Sequence, residues 1–337
     1  MPPPLRAPYS VLLGARATAK GTAQNMEGRI PELSFADYTQ GQPGRRAAFS
    51  DALGRALQRY GFVILRDHPV PAPLLEGANQ LTAALFAQDE ATKRRHLGRT
   101  RGYAPFGIEH AKDRAEPDLK EFWQIGPEHA GPRASMPANL WPDSPAGFRP
   151  TLLALFEALQ ATGQRVLEAL TPGLGLDRGF FERMLTQRNS VLRLLHYPPL
   201  ASEVPPGSIR SAPHEDINLF TLLAAPQGPG LEVLGRDGHW LPILSQPHHL
   251  IVNAGDMLAR LTNDVIPAVT HRVVNPVDAS QSRYSMPFFM HPDPDVTLSC
   301  IESCVGAGAR YPDITAGAFL EQRLQEIGLL VKDRENE

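Results

Sequence analysis

Residues 214 to 216 read His-Glu-Asp, an imidazole and a carboxylate two positions apart. On a strand, positions i and i+2 project to the same face, so His214 and Asp216 could offer two donor atoms to one ion. A third ligand from a distant strand would complete two imidazoles and one carboxylate on one side of a metal. That set leaves positions open and suits non-haem Fe(II) chemistry with oxygen. Alone the pair is weak. With eleven His and 36 acidic residues, about one such pair arises by chance, and His291-Pro292-Asp293 is a second. A hydrogen-bonded structural pair, with His271 as a satisfied core histidine, is the competing reading.

The elements that must position these groups change in character along the chain. From Arg46 to Tyr60, Phe49, Leu53, Ala56, Leu57 and Tyr60 recur at helical spacing and Gly61 follows as a stop. Phe62-Val63-Ile64-Leu65 reads as a strand, and helical periodicity returns through Leu74, Leu75, Ala78, Leu81 and Leu85, and again from Leu152 to Leu170. Lys93, Arg94, Arg95, Arg99 and Arg101 form a basic cluster, read as a solvated helix face with anion recognition as the alternative. After about Ser190 come short β-prone runs: Val191–Tyr197, Leu219–Leu223, Leu231–Leu234, His249–Asn253, Ala268–Val274 and Ser285–Met290. Turn formers such as Pro198-Pro199, Gln227-Gly228-Pro229-Gly230 and Asp237-Gly238 separate them. This spacing predicts a sandwich or barrel core of about 100 residues, packed by helices mostly from the N-terminal half, with one more helix between Thr315 and Ile327.

Composition bounds what such a fold could serve. The chain has 337 residues, 33 Lys+Arg against 36 Asp+Glu, and 42% hydrophobic residues. A net charge of −3 argues against a protein that holds phosphate backbones, and no apolar run approaches the ~20 residues of a membrane span. Cys300 and Cys304 are the only cysteines; their spacing is not that of a zinc-binding pair, which fits a reducing, cytoplasmic setting. Residues 1–27 carry Arg6, Arg16 and Lys20 but, up to Met26, no acid and no apolar stretch. They are expected to be a flexible extension rather than a targeting peptide. The rest, 28–337, is read as one domain: a helix-rich region over 28–188, the β core over 189–295, and a C-terminal segment with a helix over 296–337.

The surroundings favour His214-Glu215-Asp216 over the second pair. Upstream, Leu192-Arg193-Leu194-Leu195-His196-Tyr197-Pro198-Pro199 is a strand ending in a proline turn. Downstream come Gly230-Leu231, Asn253-Ala254-Gly255-Asp256, His271-Arg272-Val273-Val274, and Arg283-Tyr284-Ser285 running into Met286-Pro287-Phe288-Phe289. In order and spacing these resemble the isopenicillin N synthase-like branch of the Fe(II)/2-oxoglutarate-dependent oxygenases, from about Ile30 to Pro292 and most strongly from Leu192 to Phe289. Gly61-Phe62-Val63 with His68, Arg101-Gly102-Tyr103 and Asp118-Leu119-Lys120-Glu121-Phe122 agree with it. Asp67 stands where many relatives have Asn, and Glu215 where Thr or Ser is frequent.

The resemblance implies a mainly β fold, a double-stranded β-helix (jelly roll) supported by N-terminal helices. It implies that His214, Asp216 and His271 hold Fe(II), that Arg283 and Ser285 bind the distal carboxylate of 2-oxoglutarate, and that Tyr197 is a further phenol donor. Glu215 should point away from the iron by strand alternation. Arg101, Tyr103 and Phe122 lie in segments that approach the pocket mouth in relatives and are the candidates for substrate contact. Phe288 and Phe289 are read as core packing, and His291 as a surface or supporting group. The implied reaction is a 2-oxoglutarate-dependent dioxygenation, with hydroxylation of a C–H bond as the default and release of succinate and carbon dioxide. O2 is the other co-substrate. A small molecule with an anionic or polar group and an apolar body is the expected partner, with no nucleic acid or membrane and a monomer or weak homo-oligomer. An Fe(II) oxidase of the same fold that omits 2-oxoglutarate, and a binding barrel without turnover, remain the alternatives.

Overall fold

The first long helix stops at Gly61, as the spacing predicts, but it begins at Pro43, earlier than the expected start at Arg46. The computed structural model describes residues 29–326 apart from 99, 110–115, 129–136, 201–203, 205–206, 225, 227 and 279. The extension over 1–27, Arg99 of the basic cluster, Gln227 and Ile327 therefore lie outside the described residues. The chain runs through β1 (Glu32–Ser34), α1 (Ala36–Thr39), α2 (Pro43–Tyr60), β2 (Phe62–Arg66), α3 (Ala72–Phe86), α4 (Glu90–Arg94), β3 (Gly102–Ala104), β4 (Glu121–Ile125) and α5 (Phe148–Leu170). Then come β5 (Val191–Tyr197), β6 (Ser211–His214), β7 (Phe220–Ala224), β8 (Leu231–Leu234), β9 (Trp240–Pro242), β10 (Leu250–Ala254), α6 (Asp256–Leu261), β11 (His271–Val273) and β12 (Arg283–Met290). A small pair, β13 (Thr297–Leu298) and β14 (Ile314–Thr315), encloses α7 (Glu302–Val305) and leads into α8 (Ala316–Glu326).

Pro43 opens α2, whose buried residues Phe49, Leu53, Ala56 and Leu57 form one stripe. Gly61 closes it at φ 65°, in the left-handed region that glycine enters without strain. A Cβ there would also come 2.5 Å from the Val269 side chain.

Two sheets face each other. The larger has eight strands in the order β1-β2-β10-β7-β12-β5-β4-β3, and the smaller has four in the order β6-β11-β8-β9. Alternation along each strand sends one set of side chains toward the helices and the other into the space between the sheets. On β12, Met286, Phe288 and Met290 join the helix-side core with Leu53, Leu152, Phe156 and Leu159, and the Phe288 and Phe156 rings meet 4.9 Å apart. Phe62, Ile64, Phe122, Leu195, Leu231, Val233, Ile251 and Val273 form a second apolar cluster inside the sandwich. This is the expected jelly roll, with one difference from the sequence reading. The region 28–188 is more than a helical support, because β1 to β4 extend both edges of the larger sheet.

The basic cluster divides: Arg94 and Arg95 are exposed, as expected of a solvated face, whereas Lys93 and Arg101 are buried. The Lys93 Nζ lies 2.7 Å from the Glu121 carboxylate, which also accepts the Tyr103 hydroxyl. The hydrogen-bonded ion pair offsets the desolvation that an isolated buried ammonium would suffer. Among the described residues no helix is long and apolar enough to cross a membrane.

Candidate metal centre and co-substrate pocket

His214 ends β6 and is the cross-strand partner of His271 on β11, with ring centroids 4.4 Å apart. Asp216 comes two residues beyond the end of that strand, so strand alternation alone does not aim it. Its direction is set by Oδ2, which accepts from Thr221 Oγ1 at 2.6 Å and Asn253 Nδ2 at 2.8 Å. Oδ1 is left 3.9 Å from His214 Nε2 and 3.8 Å from His271 Nε2. Donor atoms from all three residues lie within 4.8 Å of one another.

Backbone carbonyls orient both rings. His214 Nδ1 donates to Ala212 O at 2.7 Å and His271 Nδ1 to Val269 O at 3.2 Å, so each Nε2 is presented without a proton. Burial, reinforced by the neighbouring His271, pushes the His214 imidazole down to about 4 and keeps it neutral. Burial opposes ionisation of Asp216, but the two imidazoles and the donors Thr221 and Asn253 outweigh it and hold the carboxyl below its ordinary range. Two imidazoles and one carboxylate on one side fit Fe(II) with its remaining positions open. Glu215 turns away, accepting the Thr270 hydroxyl.

Deeper between the sheets, Arg283 stands opposite Tyr197, and Ser285 opposite Leu195, on the antiparallel pair of β12 and β5. The Arg283 guanidinium is 4% exposed, lies 5.1 Å from the Tyr197 ring centroid, and donates to Ser285 Oγ at 3.5 Å. Its Nε is buried with no hydrogen-bond partner. Arginine does not shed its proton, so a buried guanidinium with no carboxylate partner among the described residues calls for an anion. Phe62, Leu195, Leu223, Leu231, Ile251 and Val273 give the same pocket apolar walls.

The sequence candidates separate into those the pocket gathers and those it does not. His214, Asp216, His271, Tyr197, Arg283 and Ser285 all line it. Phe122 lies just behind the wall in the inner apolar cluster, beneath the Arg193 guanidinium, whose carbon is 4.2 Å from the ring. Tyr103 does not reach it. It is fully buried on the helix side, because parity along β3 turns it toward Trp123 and its hydroxyl toward Glu121 and Glu90. Arg101 is also absent from the lining; its guanidinium packs on Gly126 and donates to Thr100 O at 2.7 Å. Phe289, expected in the core, faces the pocket with Pro287, Ser285 and Arg283.

Sequence reasoning missed Arg193 and Lys120, which line the pocket near the metal cluster. Arg193 alternates with Leu195 and Tyr197 on β5, a parity signal that could have placed it. Its Nη1 donates to Glu109 at 3.1 Å and its Nη2 to Gln124 Oε1 at 3.1 Å. Lys120 Nζ lies 2.8 Å from both Glu109 and Asp118. Lys120 and Arg193 therefore balance Glu109 and Asp118, and the outer wall is polar but charge-compensated. Of the two residues that aim Asp216, Asn253 stood in a motif that carries the resemblance but had no role read from it, and Thr221 carried no signal beyond its place on a strand.

The family model of the 2OG-Fe(II) oxygenase superfamily matches residues 188–292, and that of the non-haem dioxygenase in morphine synthesis N-terminal region matches residues 30–144. A proline hydroxylase of Petromyces alliaceus is 30% identical over 317 residues, spanning 88% of this chain and 98% of that protein. Among solved structures, a 2OG-Fe(II) oxygenase family protein from Caulobacter crescentus is 41% identical with a TM-score of 0.80, covering 88% of this chain and 99% of that one. A full-length Neurospora crassa protein in complex with alpha-KG is 30% identical with a TM-score of 0.81, covering 90% and 98%. With these likenesses running through both halves, the chain belongs to the 2OG-Fe(II) oxygenase superfamily.

Proposed function

We propose that the protein is a 2-oxoglutarate-dependent dioxygenase that hydroxylates a C–H bond of a small molecule. His214, Asp216 and His271 are assigned to Fe(II), and Arg283, Ser285 and Tyr197 to the distal carboxylate of 2-oxoglutarate. Bound together there, the iron and its co-substrate supply the oxidation, with succinate and carbon dioxide leaving. The observation that carries the reading is the buried Arg283 guanidinium without a carboxylate partner among the described residues.

The chain's own groups then divide the work. Ala212 O and Val269 O hold the imidazoles in the metal-binding tautomer, and Thr221 and Asn253 hold Asp216. The apolar walls exclude water, which strengthens the fork between guanidinium and carboxylate. Arg193, seated between Phe122 and Phe289, faces the substrate. The relative named for proline, and the Neurospora crassa protein held with alpha-KG and thymine, support a small polar metabolite as substrate. The same reading places the chain in the isopenicillin N synthase-like branch, in the cytoplasm, as a monomer or weak homo-oligomer without nucleic acid or membrane. Residues 28–337 act as one oxygenase domain.

The test is to reconstitute the protein anaerobically with Fe(II), admit O2 and 2-oxoglutarate, and measure succinate with and without candidate metabolites. Succinate formation that rises with one metabolite, together with a hydroxylated product, supports the reading. Oxygen uptake without 2-oxoglutarate consumption would overturn it.

A further inference from the structure

A second guanidinium lies beside the first. Arg210, just ahead of β6, is 2% exposed, and its Cζ stands 5.9 Å from the centroid of the same Tyr197 ring that Arg283 approaches to 5.1 Å. Its head is only partly bonded: Nη2 donates to Gln281 O at 2.9 Å, while Nε is buried with no partner. The backbone N–H of Arg210 donates to Asn275 Oδ1 at 3.0 Å, which fixes where the side chain departs. Burial and the nearby Arg283 both act against its positive charge, and no carboxylate among the described residues relieves it.

Two buried cations around one phenol repel each other in a region of poor solvation. Neither can escape by losing a proton. The negative face of a tyrosine ring recovers only part of the cost, about 0.5–2 kcal/mol per cation. An anion at the hydroxyl end of that ring would relieve both guanidiniums at once. The distal carboxylate assigned to Arg283 and Ser285 is such an anion.

We infer that Arg210 is a positioning residue for the co-substrate: acting through the Tyr197 ring, it adds a second positive charge that selects 2-oxo acids bearing a distal carboxylate. This rests on the assignment of Arg283 to 2-oxoglutarate. Arg210 is outside the pocket wall, so its effect is on the phenol and on the local potential rather than by direct contact. A cation beside the ring makes the Tyr197 hydroxyl a stronger donor to a carboxylate. The effect should vanish for a ligand that lacks the distal group.

The test is calorimetric binding of 2-oxoglutarate and of pyruvate, a 2-oxo acid without a distal carboxylate, to the anaerobic Fe(II)-loaded protein. Arg210→Met, with Arg210→Gln as a second neutral variant, should weaken 2-oxoglutarate about tenfold, the scale of one hydrogen bond to a charged group. Pyruvate binding should stay within about twofold of the unmodified protein, and Arg210→Lys, which keeps the charge, should recover most of the loss. Unchanged 2-oxoglutarate affinity in the neutral variants, or equal losses for both ligands, would overturn the inference. Arg283→Met run alongside separates the two claims: if it too leaves 2-oxoglutarate affinity unchanged, the assignment of the pocket itself fails.

Discussion

Arg283 and Tyr197 are direct cross-strand partners on antiparallel β12 and β5, with the guanidinium carbon 5.1 Å from the phenol ring centroid. The pairing fixes a planar fork of donors in one orientation in the pocket wall. Arg283→Lys keeps the charge but loses the fork, so the half-saturating concentration of 2-oxoglutarate should rise by about tenfold or more while the fold persists. Steady-state kinetics over a range of 2-oxoglutarate concentrations check this, and an unchanged KM would remove Arg283 from the site.

Arg193 and Tyr103 give opposite expectations although both are buried or nearly so. Arg193 lines the pocket, with Phe122 at 4.2 Å and Phe289 at 5.4 Å from its guanidinium carbon. Arg193→Met should lower substrate-coupled turnover about tenfold and leave substrate-free decarboxylation of 2-oxoglutarate within about threefold, since the contacts assigned to Arg283 and Ser285 remain.

Tyr103 packs on the far face of the larger sheet and donates to Glu121. Tyr103→Phe leaves that buried carboxylate one donor short, at a cost of about 1–3 kcal/mol in stability. Denaturant midpoints should fall, and both activities should decline together if they decline at all. A selective loss of coupled turnover would return Tyr103 to the substrate site.

His291 supplies a pH test on a group outside the assigned metal ligands. Burial pushes its imidazole from the ordinary 6.5 down to about 4, and its Nδ1 is without a partner. Below pH 6.5 the unfolded chain takes up a proton that the folded chain refuses, so this contribution to stability is present above about 6.5 and is lost as pH falls toward 4. The melting temperature of the metal-free protein should drop across that window, and His291→Gln should flatten the slope. Equal slopes for the two proteins would contradict it.

The sequence made the repeating parts of this architecture legible. α2, α3 and α5 announce themselves by helical periodicity, and β5 and β8 begin and end where their apolar runs do. The short β6, with only four residues and a proline inside it, gave no such signal although it carries His214. Asp216 was found for a reason the structure corrects: its direction comes from Thr221 and Asn253, brought together by β7 and β10, a long-range pairing no local pattern encodes. The same holds for Lys93, whose partner Glu121 is 28 residues away, so that one member of a cluster with the composition of a solvated face entered a buried ion pair while Arg94 and Arg95 stayed exposed. The side of the sheet is what separated Tyr103 from Phe122. Adjacent-strand parity decides it, and a three-residue strand is too short to show a period.

The central claim is that His214, Asp216 and His271 hold one Fe(II) that uses 2-oxoglutarate. The most direct measurement is anaerobic Fe(II) titration of the protein and of His271→Ala, followed by oxygen and quantification of succinate against bound iron. One tightly bound iron per chain, loss of that binding in His271→Ala with the circular dichroism spectrum retained, and succinate formed only by the iron-loaded protein are the predicted results. Undiminished iron binding by His271→Ala, or oxygen consumption with no succinate, would contradict the account.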